Sequence, residues 1–204
     1  MRSPPLPFVL LTAMLLCTFS ARAAEPLTGT WTASPRGEDL SMDVHVQEAH
    51  TSLTLPLSSL PGLDTPEGSD THFQLVREAG TLSFTGRFSH GAGAGHFQFE
   101  PSASWREEMT KLGHPDLSAN DQLLMALFDL GPSRLRALAE LGYSKIPTKL
   151  LLQLAIFQVT PPFVREIREA GYAGVTLEQL VQLRIHAIDS RYIRSLSTAR
   201  STGR

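Results

Sequence analysis

The chain has 204 residues and a formal net charge of −2, and its single cysteine is Cys17. Basic side chains do not outnumber acidic ones, so the overall charge gives no indication of a nucleic-acid partner. One cysteine cannot form a disulfide within the chain, and the fold must therefore be held together by hydrophobic burial.

The first 23 residues have the layout of a secretory signal peptide. Arg2 precedes an apolar run from Phe8 to Phe19, and Ala21-Arg22-Ala23 matches a small-x-small cleavage site. The run is shorter than the roughly 20 residues of a comfortable membrane span. We expect cleavage after Ala23 and a bacterial periplasmic or secreted protein with no stable membrane span; an uncleaved anchor is the alternative. Removal of two arginines leaves 16 basic against 20 acidic residues, a net charge near −4.

Residues 24–101 form the first predicted domain, a small antiparallel β-sheet or partial barrel. Between Gly29 and Glu100, apolar residues recur at every second position, as in "DLSMDVHVQ", "TSLTLPL" and "HFQFE", which is typical of strands with one buried face. About five or six strands are expected. Turn chemistry separates them: "REAGT" predicts a tight turn at Gly80, and "SHGAGAGH" predicts a glycine-rich connection.

Two features of this half raise functional alternatives. The glycine-rich segment lacks the following helix and the Lys-Ser/Thr pair of a phosphate loop, which favours a hairpin connector over a ligand loop. His90 and His96 flank that segment, and His45 and His50 precede it, but no spacing matches a recognised zinc or copper site. The sequence therefore predicts no metal ion and no other cofactor.

Residues 102–199 form the second predicted domain, an array of αα-hairpins with a period of 29 residues, followed by a flexible tail at 200–204. Gly113, Gly142 and Gly171 recur at this period where a left-handed residue would end a helix. Residue types that cap helix N-termini precede each first helix, at Ser102, Gly131, Thr160 and Asp189. Matching starts of the second helices are Ser118, Pro147 and Thr176. A single hairpin cannot bury its apolar face, so the copies are expected to stack.

The candidate binding residues are three arginines with the same period, Arg136, Arg165 and Arg194. They occupy one position in successive first helices and would form a ladder able to hold an acidic partner. The structural alternative is a set of ion pairs four residues apart, Arg136 with Glu140 and Arg165 with Glu169, on an exposed helix face.

Two stretches carry a family resemblance. "FVREIREAGYAGVTLEQLVQLRIHAIDSRYIRSL" resembles a helical repeat of uncharacterised bacterial extracytoplasmic proteins, and "FQLVREAGTLSFTGRFSHGAGAGHFQFEP" is similar to the strand segment that precedes it there. Similar repeats occur in the extracytoplasmic part of some membrane metallopeptidases of the beta-lactam-sensor type. The resemblance implies location and architecture. It implies no peptidase activity, because H-E-x-x-H is absent, and Ala187 stands where the repeat usually has glycine.

No catalytic residue is predicted, because the sequence has no G-x-S-x-G elbow and no cysteine after the signal peptide. We expect an exported, non-enzymatic interaction module, in envelope signalling or regulation, whose partner is another protein. Two alternatives stay open. One is a hydrolase with an unrecognised site, and the other is a carrier of a small apolar ligand in the β domain. The carrier's pocket would be lined by Phe73, Phe84, Phe88, Phe97 and Phe99.

Overall fold

Strands occupy the first half of the chain and helices the second, so the fold is mixed α+β. A computed structural model describes residues 26–47, 49–63 and 68–195. The strands are β1 (Leu27–Arg36), β2 (Asp39–Val46), β3 (Ala49–Pro56), β4 (Asp70–Arg77), β5 (Gly80–Ser89) and β6 (Ala92–Pro101). The helices are α1 (Ala103–Lys111), α2 (Ala119–Leu127), α3 (Pro132–Glu140), α4 (Thr148–Ile156), α5 (Pro161–Glu169) and α6 (Leu177–Ile185). The predicted signal peptide and the predicted tail at 200–204 lie outside the described residues.

All six strands belong to one open antiparallel sheet with the order β3-β2-β1-β6-β5-β4. Consecutive strands form hairpins, and β1 pairs with β6 in the middle of the sheet. The predicted period of two is confirmed: along β2, for example, Leu40, Met42, Val44 and Val46 are buried while His45 is exposed. The sheet does not close into a barrel, because β3 and β4 remain at its two edges.

The Trp31 side chain reaches across the sheet to Phe73. Trp31 lies on β1 and Phe73 on β4, and two strands separate them in the sheet order. Adjacent strands lie about 4.8 Å apart, so a flat sheet would hold these residues about 14 Å apart. Their ring centroids are nevertheless 5.3 Å apart, in an edge-to-face arrangement, because the indole extends over the two strands between them and its Nε1 donates to the carbonyls of His96 at 3.1 Å and Thr85 at 3.2 Å. The buried face of these strands is therefore filled by aromatic side chains in mutual contact.

The glycine-rich segment predicted as a loop is mostly strand. Only residues 90–91 form the turn, and β6 begins directly after them. Within the sheet, Gly95 lies opposite Trp31 on one side and Gly86 on the other. The Trp31 indole lies across this pair so closely that a β-carbon on Gly86 would stand 2.7 Å from the ring. The absence of a side chain at Gly86 therefore makes room for the indole of Trp31.

The predicted helix starts are confirmed one by one. Ser102, Ser118, Thr160 and Thr176 each accept a backbone N–H of the first turn through the side-chain oxygen. Pro132 and Pro161 occupy the first helical position of α3 and α5. Each helix spans nine residues and is followed by one residue with positive φ: Gly113, Asp129, Gly142, Gln158, Gly171 and Ala187.

Contacts between helices join every second helix along the chain. α1 contacts α3, α3 contacts α5, α2 contacts α4, and α4 contacts α6. α2 also contacts β4, β5 and β6, so it is the main connection between the helices and the sheet. Residues 190–195, the last ones described, are helical as well. None of the helices within the described ranges is long and apolar enough to cross a membrane.

Candidate functional site

β3 leaves one edge of the sheet open. The Leu57 N–H donates to the Glu38 carbonyl at 2.9 Å, so these two residues form a hydrogen-bonded pair. Such pairs recur at every second residue along the β2–β3 ladder. Residues 51, 53 and 55 then bond to β2, while the N–H and C=O groups of His50, Ser52 and Thr54 point away from it. Within the described ranges no hydrogen bond reaches those outward backbone groups. The edge therefore offers three unpaired donors and acceptors to an incoming chain.

The opposite edge, β4, is covered by the chain itself. Residues 60–63 run alongside β4, and the Gln74 N–H donates to the Pro61 carbonyl at 3.3 Å. Leu60 is buried there, and a β-carbon on Gly62 would stand 2.7 Å from the His72 carbonyl oxygen. Sheets commonly protect an edge in this way against unwanted pairing. β3 is therefore the edge that the described part of the chain leaves uncovered.

A cleft of about 490 Å³, which we call the edge cleft, lies between β3 and the helices. One wall is formed by residues 52–56, and the other by Arg77, Leu127, Phe128, Asp129, Ile156 and Gln158. Ile156 is 43% exposed although it is large and apolar. A strand added to β3 would send alternate side chains into this cleft and the others to solvent.

The "REAG" turn between β4 and β5 holds the helical wall of the edge cleft against the sheet. Arg77 forms an ion pair with Asp129, with Nε 3.3 Å from Oδ1. The Glu78 carboxylate accepts the Ser133 backbone N–H at 3.2 Å and also the Ser133 hydroxyl. Because Ser133 lies in the first turn of α3, Glu78 supplies the cap that Gly131 cannot.

A buried amide also links the sheet to the helices. Gln122 on α2 is fully buried, and its Nε2 donates to the carbonyl oxygens of Ala79 at 2.7 Å and Ser102 at 2.9 Å. Its Oε1 accepts from the Arg106 guanidinium at 2.6 Å. One side chain thus links the β4–β5 turn, the start of α1 and α2. No local sequence signal predicts this network, because its members are far apart along the chain.

The proposed arginine ladder lies on exposed positions, but Arg136 already has a partner. Arg136 forms an ion pair with Glu108 on α1. The pair with Glu140 that the spacing suggested is not formed. The nearest acidic neighbour comes from the adjacent helix rather than from the next turn of the same helix.

The other two arginines of the ladder differ from Arg136. Arg194 donates to the Ser190 hydroxyl at 3.0 Å. Arg165 is exposed on α5, and within the described ranges it forms no ion pair, including the predicted one with Glu169. Of the three, Arg165 is therefore the one whose charge is most available.

Three further arginines, which the sequence did not single out, bind helix C-termini. Arg134 donates to the Leu154 carbonyl at 2.9 Å, Arg168 to Leu141 at 2.7 Å, and Arg184 to Phe157 at 2.8 Å. Cations suit these positions because the last carbonyls of a helix carry partial negative charge. Burial lowers the pKa of Arg134 to about 10, against the opposing effect of Asp129. These arginines join neighbouring helices.

The five phenylalanines assigned to a ligand pocket form packed core. Each is at most 2% exposed. Phe73 stacks on Phe84 with centroids 4.7 Å apart and planes 8° apart, and Phe84 also contacts Phe97 at 5.8 Å. The rings of Phe73, Phe84 and Phe88 also contact the Trp31 indole.

Within the described ranges, no three His, Cys, Asp or Glu side chains converge as a metal-binding group. No protein-family model, no curated protein and no solved structure matches the chain. The resemblance to extracytoplasmic repeat proteins therefore remains an expectation from the sequence.

Proposed function

We propose that the protein is an exported, non-enzymatic module that binds another protein by pairing an extended segment of that partner with β3. The observation that carries the proposal is the open β3 edge beside the edge cleft, in a sheet whose other edge is covered. Backbone pairing supplies affinity, and the cleft selects side chains at alternate positions.

The chemistry of the cleft defines the segment it accepts. Side chains that enter the cleft meet Leu127, Phe128 and the exposed Ile156 beside the Arg77–Asp129 ion pair. Apolar residues are favoured at the alternate positions that face the three apolar side chains. The intervening side chains lie beside Ser52 and Thr54 on the solvent side of the sheet, where polar residues are favoured. The proposed ligand is therefore an extended peptide of alternating apolar and polar residues.

The helices support this role as a rigid scaffold, in our proposal as a tandem array of αα-hairpins. The proposal is supported by helix starts at 103, 132 and 161 and at 119, 148 and 177, which repeat at 29 residues. Contacts between every second helix also favour it. Arg165 and its two counterparts at Arg136 and Arg194 would then provide a second, acidic-partner contact at a distance from β3.

Location follows from the predicted signal peptide, which places the module in the periplasm or outside the cell. The resemblance to extracytoplasmic repeat proteins is consistent with this location and favours a role in envelope signalling or regulation.

A proline substitution at Thr54 tests the pairing directly. The Thr54 N–H points to the open edge, so proline removes a free donor without breaking the β2–β3 ladder. The matched control is Thr54→Val, which keeps the N–H. Peptides selected from a phage-displayed random library by the wild-type protein should alternate in polarity and bind Thr54→Pro at least tenfold more weakly.

A second pair of variants tests the cleft. Ile156→Asp should weaken the same peptides, while Ile185→Asp should not, because Ile185 is equally exposed at 44% but lies outside the cleft. Selection of no peptide, or equal binding to wild type and Thr54→Pro, would contradict the proposal. Circular dichroism confirms that each variant is folded.

A further inference from the structure

Four histidines lie in one row across the exposed face of the sheet. The strand registers align His50, His45, Thr30, His96, Thr85 and His72, one residue from each strand between the β3 edge and the β4 edge. All six side chains are exposed. Sequence spacing does not reveal this row, because its members come from six different strands.

Within the row only His45 and His50 are direct neighbours. Their position in the β2–β3 ladder is that of a non-hydrogen-bonded pair, in which the Cα atoms are about 4.5 Å apart and the side chains are closest. The two imidazole rings are stacked, with centroids 5.7 Å apart and planes 26° apart. By contrast, His96 and His72 are each separated from the next histidine by a threonine strand, which adds up to about 10 Å.

We propose that His45 and His50 together bind one divalent transition-metal ion. A metal ion about 2.1 Å from an imidazole nitrogen lies about 3.2 Å from the ring centroid, so two such ligands at a tetrahedral angle have centroids about 5.2 Å apart. The observed 5.7 Å leaves both rings within reach of one ion, although the stacked rings must turn so that a nitrogen of each faces it. Rotation of the exposed rings about their side-chain bonds brings the nitrogens onto the ion with no movement of the strands.

The residues around His45 and His50 favour a bound cation and leave ligand positions on the ion free for water. Asp43 lies two residues before His45 on the same face, and its Oδ1 accepts the Ser52 hydroxyl at 2.5 Å. Its carboxylate lowers the electrostatic cost of a bound cation, while water completes the coordination. Two imidazoles on an open face prefer borderline ions, and the Irving–Williams order places Cu²⁺ ahead of Ni²⁺ and Zn²⁺.

The row itself supplies matched controls. The protein, purified without a polyhistidine tag, is titrated with CuCl₂, NiCl₂ and ZnCl₂ by calorimetry. His45→Asn and His50→Asn should each weaken Cu²⁺ binding at least tenfold, and His72→Asn and His96→Asn should leave it unchanged. Electron paramagnetic resonance of the Cu²⁺ complex should show two nitrogen ligands in wild type and one in either pair variant.

Two outcomes would overturn the proposal. One is that wild type binds none of the three ions. The other is that Cu²⁺ binds His45→Asn and His50→Asn as tightly as wild type. All four histidines are exposed, so the variants should share the wild-type melting temperature in the absence of metal, which separates lost binding from lost folding.

Discussion

The carboxylate of Glu78 fills the space that a side chain on Gly131 would need. A β-carbon at residue 131 would stand 1.9 Å from Oε2 of Glu78. The backbone φ of Gly131 is −137°, which other residues adopt as well, so glycine serves here to admit the Glu78 carboxylate and not for its conformational freedom. Through this approach the β4–β5 turn reaches the N-terminus of α3 and joins the two halves of the chain.

Gly131→Ala should therefore expel Glu78 and uncap α3. We expect the free energy of unfolding to fall by about 1–2 kcal/mol, the usual cost of a lost cap, measured by urea denaturation. Gly174→Ala is the control, because a β-carbon there meets nothing within 4 Å. In a double-mutant cycle with Glu78→Ala, the two losses should be strongly non-additive; additive losses would show that Glu78 is not what residue 131 accommodates.

Gln122→Leu should loosen the joint between sheet and helices. The matching positions of α4 and α6 are Leu151 and Leu180, both fully buried, so leucine suits a helix that packs only on helices. At residue 122 it would leave the Ala79 carbonyl and the Arg106 guanidinium without their buried partner. A loss of about 2–4 kcal/mol is expected from urea denaturation.

The control for Gln122→Leu is Gln153→Leu, on the exposed face of α4. It should change the free energy of unfolding by less than about 0.5 kcal/mol. If both substitutions lower the free energy of unfolding equally, the buried amide does not hold the sheet against the helices.

Local chemistry accounts for what the sequence predicted. One-sided strands such as β2 follow from a period of two, and the start of α6 follows from the Thr176–Gln179 capping box. Each of these signals is complete within a few residues. The helix positions and the strand faces were therefore predictable in both halves.

Long-range pairing accounts for what the sequence did not predict. Nothing local specifies that β1 pairs with β6, and without that register the row of histidines cannot be found. The "REAG" motif was recognised as a turn, but its contact with Ser133 joins residues 55 positions apart. The partner of Arg136 is likewise on another helix, not one turn away. The candidate site depends on such contacts, so it became visible only in the structure.

Ala187→Gly should stabilise the protein. Ala187 has φ of +53° after α6, a conformation that costs a residue with a β-carbon about 1–2 kcal/mol. Glycine avoids this cost. Its greater conformational freedom in the unfolded chain offsets part of the stabilisation, so the free energy of unfolding should rise by about 0.5–1 kcal/mol. Thermal unfolding of this variant beside Ala139→Gly, within α3, provides the comparison: the second variant should lose stability, and a loss in both would refute the prediction.

Acid should destabilise the fold through His114. This side chain is 5% exposed, with Nδ1 2.9 Å from the Thr148 hydroxyl, and burial lowers the pKa of His114. Below the ordinary histidine value of about 6.5, the unfolded chain binds a proton that the folded chain does not. The free energy of unfolding should therefore fall between pH 7.5 and pH 5.5. His114→Asn should show a shallower fall and His72→Asn, which is exposed, the wild-type slope; equal slopes in all three proteins would exclude His114 as the cause.

Two arginines on α3 should differ sharply in their value to the fold. Arg134 donates to the carbonyls of Phe128, Asp129 and Leu154, so Arg134→Ala removes a donor shared by α2 and α4 and leaves the Phe128 carbonyl with Gln158 alone. We expect a loss of about 2–3 kcal/mol in urea denaturation. Arg136→Ala removes only an exposed ion pair with Glu108, which is worth less than about 1 kcal/mol and weakens with salt. Equal losses would mean that Arg136 supports the fold as Arg134 does, and the ladder would then be a structural feature instead of a surface for an acidic partner.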